Sequence, residues 1–555
     1  MQSVIKVASG AVAAALLFSC SSRDREKSTG YYDNETSIYQ EKEKGKSGGT
    51  LNIVTPRDLT TIDLQRTAGP RNGWYGRLLF DSLVYLNEAG EITPWLAKSW
   101  AISPDGKTYT FYLRDDVSFS DGTKFDAEAV RVNFARIRDP KTKAAVTTSY
   151  IEPYLEGKAI DKYVFQATLS RPHTPFLKLL SLSIFGFYSP KQILEAPETI
   201  AEKPIGTGPF VLEKWTPQES VSFVRRPDYN WAPSYVKHEG PAYLDRVLVK
   251  IVPEIIVSSS SLLSGQFQMS VDAQAQLVNS VRNNKDFTFT SRVLKGNPLQ
   301  APVFNTSVAP FNDLIVRKAF VSALDREALV ITKGFGTLRL KSDFLSEKTE
   351  YYDPTHGHDL KYDVNEANRL LDQAGWTGHD SEGYRTKNGK RLGAEVLTSS
   401  AATSNDLLPL IQSDVKKIGF DLKIIQLPAL EYSARRSEGT YQALGSTSLH
   451  TSTADALYIF FHSSQVPTKE RISVNTSRLS DPELDGYLDA ARQTVDPAQL
   501  RVLYSNAQRR LVELVPAAPL YENTVFVAYN NKTLKGVTYD TTHDLPYLLT
   551  AWLSK

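Results

Sequence analysis

At 555 residues the chain has room for three or four structural units of roughly 150 residues each. Hydrophobic residues make up 41% and charged residues 23%. Those proportions exclude a wholly disordered chain, a collagen-like fibre and a multi-span membrane protein. Lys and Arg number 64 against 62 Asp and Glu, so no broad basic surface is set aside for nucleic acid. The 27 Tyr, 24 Phe and 7 Trp suit a ligand cleft as well as a core.

The sole cysteine, Cys20, allows no intramolecular disulfide and no multi-thiolate metal site. Lys6 precedes an uncharged run of 12 residues, Val7 to Phe18. That run is too short for a bilayer core of about 30 Å and reads as a secretory signal. Leu17-Phe18-Ser19-Cys20 resembles a bacterial lipobox, although Phe18 is bulkier than the usual residue there. The resemblance implies that residues 1–19 are removed and that Cys20 carries a lipid anchor. With no Asp after Cys20, outer-membrane sorting stays open by analogy. Residues 21–47 hold six basic and six acidic side chains and almost no aliphatic ones. Residues 20–47 therefore read as a tether, spanning about 30 Å as a flexible coil.

In the body, Gly48 to Val54 predicts a strand. Leu78, Leu79, Leu83 and Leu86 have helical spacing and predict a helix over Trp74 to Leu86. Ser103-Pro104-Asp105-Gly106 predicts a type I turn between two strands, the second alternating through Tyr109, Phe111 and Leu113. Asp126 caps an expected helix from Ala127 to Ile137. The glycines of Gly206-Thr207-Gly208-Pro209 suggest flexible φ beside a fixed proline. Asp325 reads as a helix cap, and Asp63 as a residue that closes a turn. Further strands (Val247 to Pro253, Phe420 to Leu427) alternate with helices (Val316 to Leu324, Asn365 to Ala374, Leu500 to Leu514). The interleaving argues an α/β body.

Several segments occur in a characteristic order. They include Pro94-Trp95-Leu96-Ala97-Lys98-Ser99-Trp100, Ser103-Pro104-Asp105-Gly106-Lys107-Thr108-Tyr109, Phe119-Ser120-Asp121-Gly122 and Gly206-Thr207-Gly208-Pro209-Phe210. Arg226-Pro227-Asp228-Tyr229, Val316-Arg317-Lys318-Ala319 and Leu370 to Trp376 continue the series. Over residues 48 to 530 the chain resembles the family 5 extracellular solute-binding proteins, which serve ABC importers for peptides and nickel. The resemblance implies a two-lobed periplasmic-binding-protein-like fold with two hinge crossovers, near Leu299 to Asn305 and Pro519 to Glu522. It divides the chain into lobe I (48–80, 204–300 and 519–555), a subdomain inserted in lobe I (81–203) and lobe II (301–518). It implies a monomeric, non-enzymatic binder that captures an oligopeptide or peptide-like solute and presents it to permease subunits. The globular part then lies in the periplasm or outside the cytoplasmic membrane. An orphan binder or sensor for a metal chelate or glycan fragment, or an envelope enzyme or adhesin on the same fold, is the alternative.

Cleft candidates follow from that arrangement. Arg71 reads either as the partner of a ligand carboxylate or as a solvated surface charge. Trp74 reads as a stacking platform or a core residue. Phe304 and Tyr521 lie at the two expected crossings. His450 aligns with the carboxylate that pairs with the peptide ammonium in peptide-binding relatives, unless a shifted loop brings Asp455 there. An imidazole cannot replace that carboxylate. His356-Gly357-His358 and His379 read as loop histidines rather than a metal site, and no P-loop or H-E-x-x-H motif indicates a cofactor or catalytic centre. Gly45-Lys46-Ser47-Gly48-Gly49 has the letters of a nucleophile elbow but lacks the strand before and helix after it.

Overall fold

A computed structural model describes residues 45–59, 61–67, 69–281, 284–296, 300, 302–357, 360–399, 405–446, 451–468 and 473–554. Cys20 and His450 lie outside the described residues. Among the described residues no helix is long and apolar enough to cross a membrane.

Lobe I is organised by a seven-stranded mixed sheet. At its centre Thr50–Thr55 runs parallel to both Arg246–Ile251 and Met269–Val271. The late strand Thr524–Asn530 inserts between Met269–Val271 and Phe287–Val293, antiparallel to both. Val221, Phe223, Val247 and Val249 alternate inward, as a half-buried sheet requires. A separate antiparallel four-stranded unit comprises Ala97–Ile102, Thr108–Leu113, Val164–Leu169 and Tyr154–Asp161. The turn at Ser103 to Gly106 joins its first two strands, with Gly106 at φ +66°. Asp126 caps Ala127–Arg138 by accepting a hydrogen bond from the Ala129 amide. Asp325 caps Arg326–Gly334 through Ala328 in the same way.

Lobe II is built on a four-stranded sheet in the order Val303–Phe304, Ala443–Leu444, Gly393–Ser399, Asp421–Leu427. The last three strands are parallel. The crossing segments pair with each other: Leu294 N donates to Asn523 O (2.8 Å), Ala518 N to Pro302 O (2.9 Å) and Phe304 N to Pro516 O (3.0 Å).

Three local expectations are corrected. The helix runs Pro70–Leu79, and Val84–Leu86 is a strand paired with Ile92–Pro94. Pro70 sets the helix start, and the chain turns extended at Phe80 to place Asp81 in the core. Asp81 accepts from Trp231 Nε1 (2.9 Å) and Tyr229 Oη (3.3 Å), and burial pushes its pKa up to about 6. Gly206 and Gly208 are glycines because a Cβ at either would collide with the Leu79 backbone, not because of positive φ. Asp63 pairs with Arg136 in the interior (2.5 Å) rather than closing the turn with its side chain.

Candidate ligand-binding cleft

Strand direction decides which edges of the two sheets face each other. In lobe I the parallel strands end at Thr55, Ile251 and Val271, and Phe287–Val293 ends at the same edge. The first crossing leaves from there. In lobe II it enters at Val303, opposite Leu444, beside the carboxyl ends of the parallel strands. Both lobes thus direct the carboxyl ends of parallel strands at the hinge, the place where open α/β sheets bind ligands.

On the lobe I side, Arg57 stands two residues beyond its strand, Asp272 one residue beyond its own, and Arg71 on the first turn of the helix Pro70–Leu79. The three converge. Asp272 Oδ2 accepts from Arg57 Nε (3.0 Å) and Nη2 (2.6 Å), and also from Arg71 Nη2. The two guanidinium charges hold the Asp272 carboxyl below its usual range against the opposing effect of burial. Nearby Asp58 is occupied by the amides of Leu59 (2.7 Å) and Gln218 (2.7 Å) and by Trp215 Nε1 (3.1 Å).

The second crossing contributes Tyr521, which is 9% exposed. Burial raises its phenol pKa, and the charges of both Asp406 in lobe II and Arg57 in lobe I act on it. Tyr521 thus stands between the lobes, where chain position had placed it. Gln300, Leu408, Ile411, Gly445 and Ser446 line the space beside it.

The lobes touch beyond this edge. Ser452 Oγ donates to Thr542 O (2.7 Å), Thr174 N to Arg492 O (2.8 Å), and Thr174 Oγ1 to Thr494 O (2.6 Å). Lys178 pairs with Glu350. These contacts join the two lobes away from the hinge.

Other expected residues have different surroundings. Phe304 is fully buried and stacks on Phe311 within the aromatic core of lobe II. Trp74 is 1% exposed, donates to Pro546 O (2.8 Å) and packs on Tyr75, so in this form both are core residues. Asp455 is buried and pairs with Arg492 (2.7 Å). His356 Nε2 contacts Ser505 Oγ (3.0 Å), and His358 lies outside the described residues. Among the described residues no cluster of three His, Cys, Asp or Glu is placed to hold a metal. The sequence reading missed Arg57 and Asp272, separated by 215 positions. Only the parallel pairing of Thr50–Thr55 with Met269–Val271 brings them together.

Comparison with known proteins agrees with this architecture. Residues 91–467 match the family described as bacterial extracellular solute-binding proteins, family 5. The chain is 29% identical to the nickel-binding periplasmic protein of Escherichia coli (strain K12), over 78% of this chain and 82% of that one. It is 27% identical to di/tripeptide-binding protein 3 of Pseudomonas aeruginosa, over 81% and 85%. In fold it is similar to the oligopeptide-binding protein AppA of Bacillus subtilis, solved with a nonapeptide. That likeness has a TM-score of 0.80 at 21% identity and covers 92% of this chain and all of that one. The chain belongs to the bacterial extracellular solute-binding proteins of family 5.

Proposed function

We propose that this chain is the solute-capturing component of an ABC importer and encloses a peptide or peptide-like solute between its lobes. The carrying observation is the pair of facing sheet edges at the hinge, with Arg57, Arg71 and Asp272 on one side and Tyr521 in the crossing. Enclosure strips water from the solute, which strengthens both apolar contact and polar pairing. Arg71 and Tyr521 are contacts from lobe I and the hinge. His450 follows Ser446 by four positions in the sequence and is proposed as a further ligand contact. Among the named relatives, one is a di/tripeptide-binding protein and one a nickel-binding protein, and the paired arginines suit a peptide-like acid.

In this reading the body works as a monomer outside the cytoplasmic membrane, tethered through residues 20–47 by a lipid on Cys20, and delivers solute to permease subunits. Lobe I comprises 48–80, the inserted 81–203, 204–300 and 519–555, and lobe II 301–518. Native mass spectrometry of the chain purified from its own host tests the solute class. A co-purified peptide or peptide-like mass is expected; a metal chelate or glycan fragment in its place would refute the peptide reading. Replacing Cys20 by Ala should move the protein from the membrane to the soluble fraction, and a wild-type protein already soluble would refute the anchor.

A further inference from the structure

We infer that the chain carries a second ligand site, apart from the interlobe cleft, that takes a small uncharged aromatic molecule with a hydrogen-bond acceptor at its edge. The inference goes beyond the solute-capture reading and does not rest on it. The site is a cavity of about 450 Å³ whose walls come from residues 85–89, 234–237, 292 and 537–550. That volume lies within the range of small-molecule sites. No residue from 301–518 lines it, and it shares no wall with the space beside Tyr521 at the hinge.

Three tyrosines supply the flat surface. Tyr85 and Tyr235 stack with ring centroids 4.0 Å apart and planes 10° from parallel. Tyr85, the inner ring, is fully buried, and its hydroxyl accepts from Thr541 N (3.0 Å) and Oγ1 (2.7 Å). Tyr235, only partly buried, is the outer ring. Tyr539 is fixed at both ends. Its hydroxyl bonds with Thr290 Oγ1 (2.8 Å), and the Arg292 guanidinium lies over its ring, 4.7 Å from the centroid. Rings held in this way present rigid π surface, which a flat ring matches and a puckered one does not.

Charge and donor accounting narrow the ligand further. The charged lining residues cancel in pairs: exposed Glu88 against exposed Lys237, and Arg292 against Asp544 behind it. A charged ligand would find no uncompensated partner there. The threonine donors are already used, Thr538 on Tyr547 O (3.0 Å), Thr550 on Gly536 O (2.8 Å) and Thr541 on Tyr85 Oη. A sugar, with a hydroxyl to satisfy on nearly every carbon, is therefore poorly served. One donor stands apart. Asp544 takes Arg292 Nε (3.2 Å) and Nη2 (3.0 Å), while Nη1 makes no hydrogen bond to any described residue. About a fifth of the Arg292 side chain is exposed, which leaves Nη1 to meet a carbonyl or similar acceptor.

The test is calorimetry on the full chain with benzamide and cyclohexanecarboxamide, which share an amide and differ in the flatness of the ring. Benzamide should bind about fivefold more tightly or better. Tyr235→Phe should keep that preference and Tyr235→Leu should erase it. Arg292→Met combined with Asp544→Asn, which removes the donor without stranding a buried charge, should weaken benzamide several-fold. Melting temperatures within a few degrees of wild type would show that the variants are folded. Photolabelling of the wild type with 4-azidobenzamide, read by peptide mass spectrometry, locates the probe even where a variant fails to fold. Label on residues 234–237 or 537–541 is expected. Equal binding of the two amides, binding of neither, a preference that survives Tyr235→Leu, or label on residues 407–411 or 519–522 beside the hinge would overturn the inference.

Discussion

Asp455 and Arg492 form a two-pronged ion pair, Nε to Oδ1 and Nη2 to Oδ2, each at 2.7 Å. Both side chains are almost wholly buried, and the guanidinium lies over the Tyr458 ring, 3.3 Å from its centroid. The Arg492 carbonyl accepts from Thr174 of the opposite lobe. The pair therefore supports the surface on which the lobes meet. Removing one partner leaves an uncompensated buried charge. Asp455→Ala should cost about 3–5 kcal/mol in a guanidinium titration. The double change Asp455→Leu with Arg492→Met should cost less than either single change. A single-variant loss below about 1 kcal/mol would contradict this account.

Because Asp455 is engaged by Arg492, it is not free to receive a ligand ammonium group. Matched peptides with a free and an acetylated amino end should bind with affinities within about threefold of each other by calorimetry. A preference for the free amine beyond about tenfold, roughly 1.4 kcal/mol, would show that another carboxylate serves it.

Lys178 and Glu350 form an ion pair between the two lobes, each about a quarter exposed. A pair so placed contributes about 0.2–1 kcal/mol. Glu350→Gln should shift the solute-free protein toward the open form by up to about fivefold, read as a larger radius of gyration in solution scattering. Half-molar salt should enlarge the wild type toward the variant's value and leave the variant unchanged. Identical radii at low salt would show that the pair does not bias closure.

Asp81 makes stability fall as pH rises, the reverse of a carboxylate whose pKa an ion pair lowers. Its pKa goes up on folding, from 3.8 to about 6, because burial outweighs the donors and the Arg77 and Arg226 charges that favour ionisation. The native state therefore binds the proton more tightly than the unfolded chain. Its contribution is full below pH 4 and is lost as pH rises through about 6. The loss is on the order of 3 kcal/mol at neutral pH. Urea titrations at pH 4.5 and 7 should show the wild type losing more stability over that interval than Asp81→Asn. Parallel losses would place the titration elsewhere.

Features that depend on a few neighbouring residues were legible in the sequence. The turn at Ser103 to Gly106 and the caps at Asp126 and Asp325 are set by local chemistry, and each appears where the residues indicate. The helix expected over Trp74 to Leu86 failed because Leu78 and Leu79 belong to a helix while Leu83 and Leu86 belong to a turn and strand. Four leucines at helical spacing do not reveal that Asp81 must reach Trp231. Glycines 206 and 208 were legible as necessary but not for their reason, since the obstacle is a backbone about 130 positions earlier. Tyr521 and Phe304 both lie at the crossings, but charges from both lobes act on Tyr521 while the Phe304 ring turns into lobe II. Chain position near a hinge does not fix side-chain direction. The Arg57–Asp272–Arg71 cluster had no local signal, because its members come from two strand ends and the first turn of a helix.

The placement of Thr524–Asn530 inside the lobe I sheet has a consequence for biosynthesis. Among the described residues Phe287–Val293 has no other strand neighbour, and Met269–Val271 has its second one only there. A ribosome that has synthesised the first 500 residues has therefore produced every strand of lobe II but an unfinished lobe I. The sheet of lobe I closes only when the last tenth of the chain arrives. A nascent polypeptide with its main sheet open has its largest apolar surface still uncovered. Truncation just before Thr524 should leave a chain that never completes the lobe I sheet.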